Sequence, residues 1–161
     1  MKIEIIGPFL FGLTSMSPFR ATPSALPTRP LHQAPASSSP APSRSVWDGV
    51  YTEAQRKRGA MLYLRECSGC HGEALRGGEG TRALTGPDFN ESWNGRTVAD
   101  LFDKIRRTMP PPPDQPGKLS LQQEADVVAH ILSANDFPVG AVELSTETEQ
   151  LKRIRIATAR P

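Results

Sequence analysis

Cys67-Ser68-Gly69-Cys70-His71 contains both cysteines of the 161-residue chain. The spacing is C-x-x-C-H, the pattern for covalent attachment of a c-type haem. Each residue type has its own task. The two thiols add across the vinyl groups of the haem and become thioethers. The histidine follows at once, so its imidazole is held beneath the iron as an axial ligand. Other readings of a cysteine pair fit less well. A dithiol redox centre sits beside a βαβ pattern, and none is visible. A structural zinc site needs four ligands, and beyond His71 the chain offers only His32 and His130. A disulfide across two residues would give the adjacent histidine no purpose.

The second axial ligand is sought among Met1, Met16, Met61 and Met109. Met1 and Met16 belong to an N-terminal leader. Met61, six residues before Cys67, reads as a core-filling side chain on the helix that leads into the motif. Met109 remains, 38 residues beyond His71 and followed by Pro110. A thioether ligand favours iron(II) and raises the reduction potential.

Three helices are expected around this motif. Thr52-x-x-Gln55 is a capping-box pattern that opens the first, running to about Glu66 with Ala54, Ala60, Met61 and Leu64 on its apolar side. Gly59 inside it costs about 1 kcal/mol of helix propensity, which points to close approach of another helix. Tyr63 lies one turn later on the same face. Residues 72–96 are glycine-rich and read as loop. Within them Gly78-x-Gly80-x-x-Ala83 fits a dinucleotide fingerprint, but no strand precedes it. A second helix spans Thr97 to Thr108, with Val98, Leu101, Phe102 and Ile105 as one apolar stripe. Four prolines after Met109 favour a stiff extended loop that limits the methionine's motion. Ser120-x-x-Gln123 opens a third helix to about Ala134, burying Val127, Val128, Ile131 and Leu132. Residues 145–156 read as a short extra helix, capped by Thr146-x-x-Glu149 and anchored by Leu151 and Ile154. No strand pattern of useful length is present, so the fold class is all-α.

Over residues 47–136 the chain resembles the small class I cytochromes c. Gly59 and Tyr63 look like that family's glycine-x-x-x-aromatic pair. Thr85-Gly86-Pro87-Asp88-Phe89 is similar to its T-G-P-x-L segment, Thr108-Met109-Pro110 to its ligand loop, and residues 125–132 to its C-terminal helix. The resemblance implies three main helices and loops wrapped around one haem. It implies Cys67 and Cys70 as the attachment points and His71 and Met109 as iron ligands. It also implies that the Pro87 carbonyl accepts a hydrogen bond from His71. One departure stands out: the family carries an aromatic ring where this chain has His130. A neutral imidazole fills part of that space, so His130 is expected beside Gly59 or Tyr63 and away from the iron.

The first 46 residues differ in composition. Residues 1–25 read as an export signal, with one lysine and then an apolar run from Ile5 to Leu13 that is too short to span a bilayer. Residues 26–46 are rich in Pro, Ser and Ala and read as a linker. The cytochrome-like domain is placed at 47–138, with 139–161 as a C-terminal extension. The formal charge of +2 belongs to the leader. Once Lys2, Glu4, Arg20 and Arg29 are removed, acids and bases balance, which argues against nucleic acid as a partner.

These readings imply a periplasmic or otherwise exported monohaem electron carrier rather than an enzyme, monomeric or transiently associated, with no integral membrane span. Redox proteins are expected to dock at the exposed haem edge, with Arg76, Arg106 and Arg107 as rim charges. The C-terminal pattern also resembles cytochromes associated with quinoprotein dehydrogenases. The alternative is a haem sensor or catalytic haem protein from which Met109 dissociates.

Overall fold

The structure is a computed structural model that describes residues 44–111 and 116–161. The export-signal reading, most of the linker reading and part of the proline loop lie outside the described residues. Six helices and one two-stranded sheet are present among the described residues.

Strand β1, Arg44–Ser45, leads into a 3-10 turn at Val46–Asp48. Helix α1 is Glu53–Glu66, α2 the single turn Ser68–His71, α3 Gly86–Trp93 and α4 Val98–Thr108. Helix α5 is Leu121–Ala134, α6 the short Thr148–Leu151, and β2 Ile154–Arg155 closes the chain against β1 in parallel. The all-α class is therefore correct, and the sheet was not expected. Two residues per strand are too few for a period-2 pattern to show in a sequence.

Caps form at Thr52 and Ser120 as expected, and a further one at Thr97. Thr97 and Asp100 make a reciprocal box at the start of α4, and Ser120 and Gln123 make one at the start of α5. At α1 only half the box forms. Thr52 Oγ1 accepts from the Gln55 backbone N–H at 3.1 Å, but the Gln55 amide turns inward. It is fully buried, accepting from Leu144 N–H at 2.7 Å and donating to Leu144 C=O at 3.1 Å. This side chain pairs with a backbone as a strand would.

The principal packing is α1 against α5. Its seam differs from the expected apolar stripe. Met61 is 73% and Leu64 54% exposed, while Gln55, Gly59, Leu62 and Tyr63 face inward. Met61 is thus a surface residue, not a core filler. The helices approach at Gly59, where a Cβ would lie 2.5 Å from the Asp126 carbonyl carbon and 3.1 Å from His130 Cβ. Beside this crossing Arg58 holds Asp126 through two hydrogen bonds of 2.9 Å and reaches Glu143. Glu124 on α5 is also buried, with one carboxyl oxygen lacking a partner among the described residues. Burial raises its pKa and favours the neutral acid.

The segment after α5 is part of the core. Leu144, Leu151, Ile154 and Ile156 are buried with Val46, Val50 and Tyr51 from the other end of the chain. Leu151 and Ile154 are therefore anchors, although α6 begins at Thr148 with Glu147 at its cap position rather than Thr146. Tyr51 donates to Phe137 C=O, and Gly140 N–H donates to Tyr51 C=O at 2.7 Å. Gly140 has no side chain because Gly49 Cα would lie 3.1 Å from its Cβ. Further on, Gly95 N–H donates to Ile156 C=O and Ile156 N–H to Arg96 C=O, both at 2.8 Å. The tail thus fixes the α3–α4 connection and the orientation of α4.

Candidate haem site

Helix α1 ends at Cys67, whose N–H donates to Tyr63 C=O, and α2 starts at the next residue. The motif therefore occupies one helical turn directly after a long helix. Within it, His71 N–H donates to Cys67 C=O at 3.0 Å and Gly72 N–H to Ser68 C=O at 2.8 Å. The Tyr63 hydroxyl donates to Gly72 C=O at 2.7 Å, tying the far end of the motif to the buried face of α1. Burial, with a smaller contribution from Cys67, pushes the Tyr63 hydroxyl up to about 12, so it stays a donor.

Both cysteines are free thiols, Cys67 half-buried and Cys70 exposed. Burial first, and then Glu66, pushes the Cys67 thiol up to about 11. No group of three metal-ligating side chains occurs among the described residues. Zinc is disfavoured because a structural site needs four ligands and no further ligand cluster surrounds the motif among the described residues.

His71 Nδ1 lies 3.2 Å from Arg82 C=O. A carbonyl only accepts, so this contact places the ring proton on Nδ1 and leaves the Nε2 lone pair for a metal. In this structure the Nδ1 contact is to Arg82 C=O, and Pro87 lies further along the chain. Pro87 stands in the first turn of α3, where carbonyls run along the helix axis toward the next turn. The chain reaches His71 earlier, at Arg82. Two hydrogen bonds close a turn between Gly78 and Thr81, and Leu84 N–H donates to Leu75 C=O at 2.7 Å. Asn135, just past α5, donates to Leu84 C=O at 2.9 Å and accepts from Gly86 N–H at 3.2 Å. The loop carrying the Arg82 carbonyl is thereby fastened at both ends. Arg82 was not legible as a site residue, since any residue supplies a carbonyl. Helix α3 was also missed, although Pro87 in its first turn and Asp88 near its N-terminus are start signals.

Met109 is the C-cap of α4, half-buried, with its N–H on Ile105 C=O at 3.0 Å. It comes from a different element than the cysteines and histidine. Arg76, Arg106 and Arg107 are all exposed, and Arg107 pairs with Asp103 at 3.1 Å.

His130 packs where expected. Its ring centroid is 5.2 Å from that of Tyr63. Nδ1 is buried with no hydrogen-bond partner among the described residues. Burial first, and then Arg56, lowers the His130 pKa and keeps the ring neutral. The unfolded chain therefore binds this proton more readily than the native one. The contribution is present above the ordinary histidine pKa and is lost as pH falls through the lowered one. His130→Tyr is expected to remove that acid sensitivity and to raise stability at neutral pH by about 1 kcal/mol through aromatic packing. Thermal melts at pH 7 and pH 5 check this: the variant should lose less stability between the two than the wild type does.

The family model described as cytochrome C oxidase, cbb3-type, subunit III matches residues 54–131. Residues 54–131 are a class I c-type cytochrome domain. No curated protein and no solved structure matches the chain significantly. The matched span covers α1 through most of α5 and includes the C-x-x-C-H motif, Arg82 and Met109. The residues of the cytochrome domain fit a haem. Two free thiols and a histidine with an uncommitted Nε2 share one turn, and Nδ1 is already oriented by a carbonyl. Haem c, when bound, supplies an iron that exchanges one electron. The domain supports haem-based electron transfer. Among the described residues no helix is long and apolar enough to cross a membrane.

Proposed function

We propose that the chain is an exported monohaem electron carrier, with haem attached through Cys67 and Cys70 and ligated by His71 and Met109. The observation that carries this reading is the His71 contact: Nδ1 faces Arg82 C=O in the same turn as two free thiols. That arrangement prepares one nitrogen for a metal and two sulfurs for covalent links. The absence of other cysteines supports a single haem. Filling both axial positions favours electron exchange over substrate binding at iron. The protein's own part is to fix the imidazole through Arg82 and to deliver Met109 from the end of α4.

Periplasmic placement is supported by the apolar run at Ile5 to Leu13 and by the covalent haem motif. A quinoprotein dehydrogenase as donor is supported by the resemblance of the C-terminal pattern. An oxidase as acceptor is supported by the description of the matched family model. The partners dock at the edge formed by the motif loop and the Met109 loop, with Arg76, Arg106 and Arg107 at its rim. Redox encounters of this kind use small interfaces.

The oxidised holoprotein is expected to show the methionine–iron charge-transfer band, and the reduced protein is expected not to bind carbon monoxide. Met109→Ala should keep the covalent haem, lose the band, lower the potential and admit carbon monoxide. A wild-type protein that binds carbon monoxide without treatment would contradict the carrier and favour a haem sensor. A Met109→Ala variant with unchanged spectrum and potential would exclude Met109 as ligand.

A further inference from the structure

Glu66 stands where a helix least favours an acid. It is the last residue of α1, and a carboxylate at a helix C-terminus opposes the helix dipole. Its place therefore has a tertiary reason. The side chain is 17% exposed and both carboxylate oxygens are engaged. Oε1 accepts from Arg65 Nε at 2.7 Å, and Oε2 pairs with Lys118 Nζ at 2.7 Å. Arg65 first, and then Lys118, holds the Glu66 carboxyl below the usual carboxylate range. The next residue along the chain is Cys67.

Lys118 belongs to the segment that follows Met109 and ends at Ser120, the cap of α5. Both ends of this segment are fastened. Met109 N–H donates to Ile105 C=O at 3.0 Å. Gly117 lies against the end of α4, where a Cβ would be 3.4 Å from the Arg106 carbonyl oxygen. Leu119 is partly buried against the core. Among the described residues, α1 and α4 each pack on α5 and make no extended contact with each other. The cysteine turn and Met109 are therefore carried by two elements that are joined mainly through α5. The Glu66–Lys118 pair ties them directly. In this it differs from Arg56–Glu53, Arg107–Asp103 and Lys152–Glu149, which join residues only three or four apart.

We propose that Glu66 and Lys118 are positioning residues for Met109: their ion pair clamps the ligand loop to the end of α1 and keeps the second axial position closed to other ligands. The inference rests on the reading of Met109 as that ligand and adds what holds it in place. A thioether favours iron(II), so in the oxidised protein its bond to iron needs support from the chain. With the pair broken, Gly117 still holds the loop to α4, but α4 and the cysteine turn are freer to part. An added base then replaces the sulfur by ligand exchange, with no change of oxidation state. Fully exposed ion pairs contribute little, but Glu66 is mostly covered, so water and salt screen this pair less.

The test is a titration of the oxidised holoprotein with imidazole at neutral pH and low ionic strength, followed through the methionine–iron charge-transfer band. Glu66→Gln and Lys118→Gln should each tighten imidazole binding by about threefold. The double variant should bind no tighter than the tighter single, because both remove one interaction. Lys118→Arg keeps the charge and should restore wild-type affinity. Glu149→Gln removes a pair of the same length in the tail and should leave the affinity unchanged. On heating, Glu66→Gln should lose the band at a lower temperature than the wild type, while global unfolding followed by circular dichroism moves less. A merely structural role would move the two together. Wild-type affinity in either Gln variant, additive tightening in the double variant, or equal tightening by Glu149→Gln would overturn the proposal. Met109→Ala is measured alongside. If it keeps the wild-type spectrum, the ligand reading fails and the clamp falls with it. If it loses the band while both Gln variants bind imidazole as the wild type does, the clamp alone fails.

Discussion

Gly59→Ala is expected to destabilise the domain by roughly 3 kcal/mol or more, the upper range for overpacking a closed contact. The added methyl would overlap the Asp126 carbonyl oxygen and lie 2.5 Å from its carbonyl carbon. Backbone on the facing helix cannot rotate away as a side chain can. Helices α1 and α5 must separate, and several contacts loosen together. Arg58 would lose its two hydrogen bonds to Asp126, and His130 would lose its place against Tyr63. The substitution gains back only about 1 kcal/mol of helix propensity, so packing decides the sign. Chemical denaturation of the holoprotein measures the change. Gly59→Ala with wild-type stability would show that the helices do not cross at this residue.

The second large effect is expected from Cys67→Ala with Cys70→Ala. The double variant should retain no covalent haem and should not fold cooperatively. The domain has a modest core, and small domains bury a limited fraction of their surface. Within the motif Cys67, Ser68 and His71 are half-buried, while Gly69 and Cys70 are exposed. A large apolar ring bonded at this turn would cover them and join the motif loop to α4. Recovery of a haem-free variant with a sharp thermal transition would show that the polypeptide core suffices.

Both effects start from features legible in the sequence, and the reasons differ. The haem motif is readable because its chemistry fixes residue type and spacing together. The start of α5 is readable because a cap is a local hydrogen bond between residues three apart, and α4 because its apolar stripe keeps one period. Gly59 stands out because glycine inside a helix needs a tertiary reason. The inward face of α1 was readable at Gly59 and Tyr63 but not elsewhere. Its buried residues include Gln55 and Gly59, while Met61 and Leu64 are exposed, so hydrophobicity points to the wrong side. The cause is tertiary: Gln55 pairs with the backbone of Leu144, 89 residues away. In the tail, Leu151 and Ile154 were legible as anchors, but the strand at Ile154–Arg155 was not, because two residues are too few to show its period. At the site, the Arg82 contact arises from backbone geometry. A carbonyl's direction depends on the turn at Gly78 to Thr81 and the bonds at Leu75 and Asn135.

The most direct measurement of the central claim is the mass of the peptide spanning Cys67 to His71. It is taken from protein produced with bacterial haem-attachment machinery. The account predicts a gain of one haem through two thioether links, with neither cysteine open to alkylation. A peptide of unmodified mass with both thiols alkylated would contradict it.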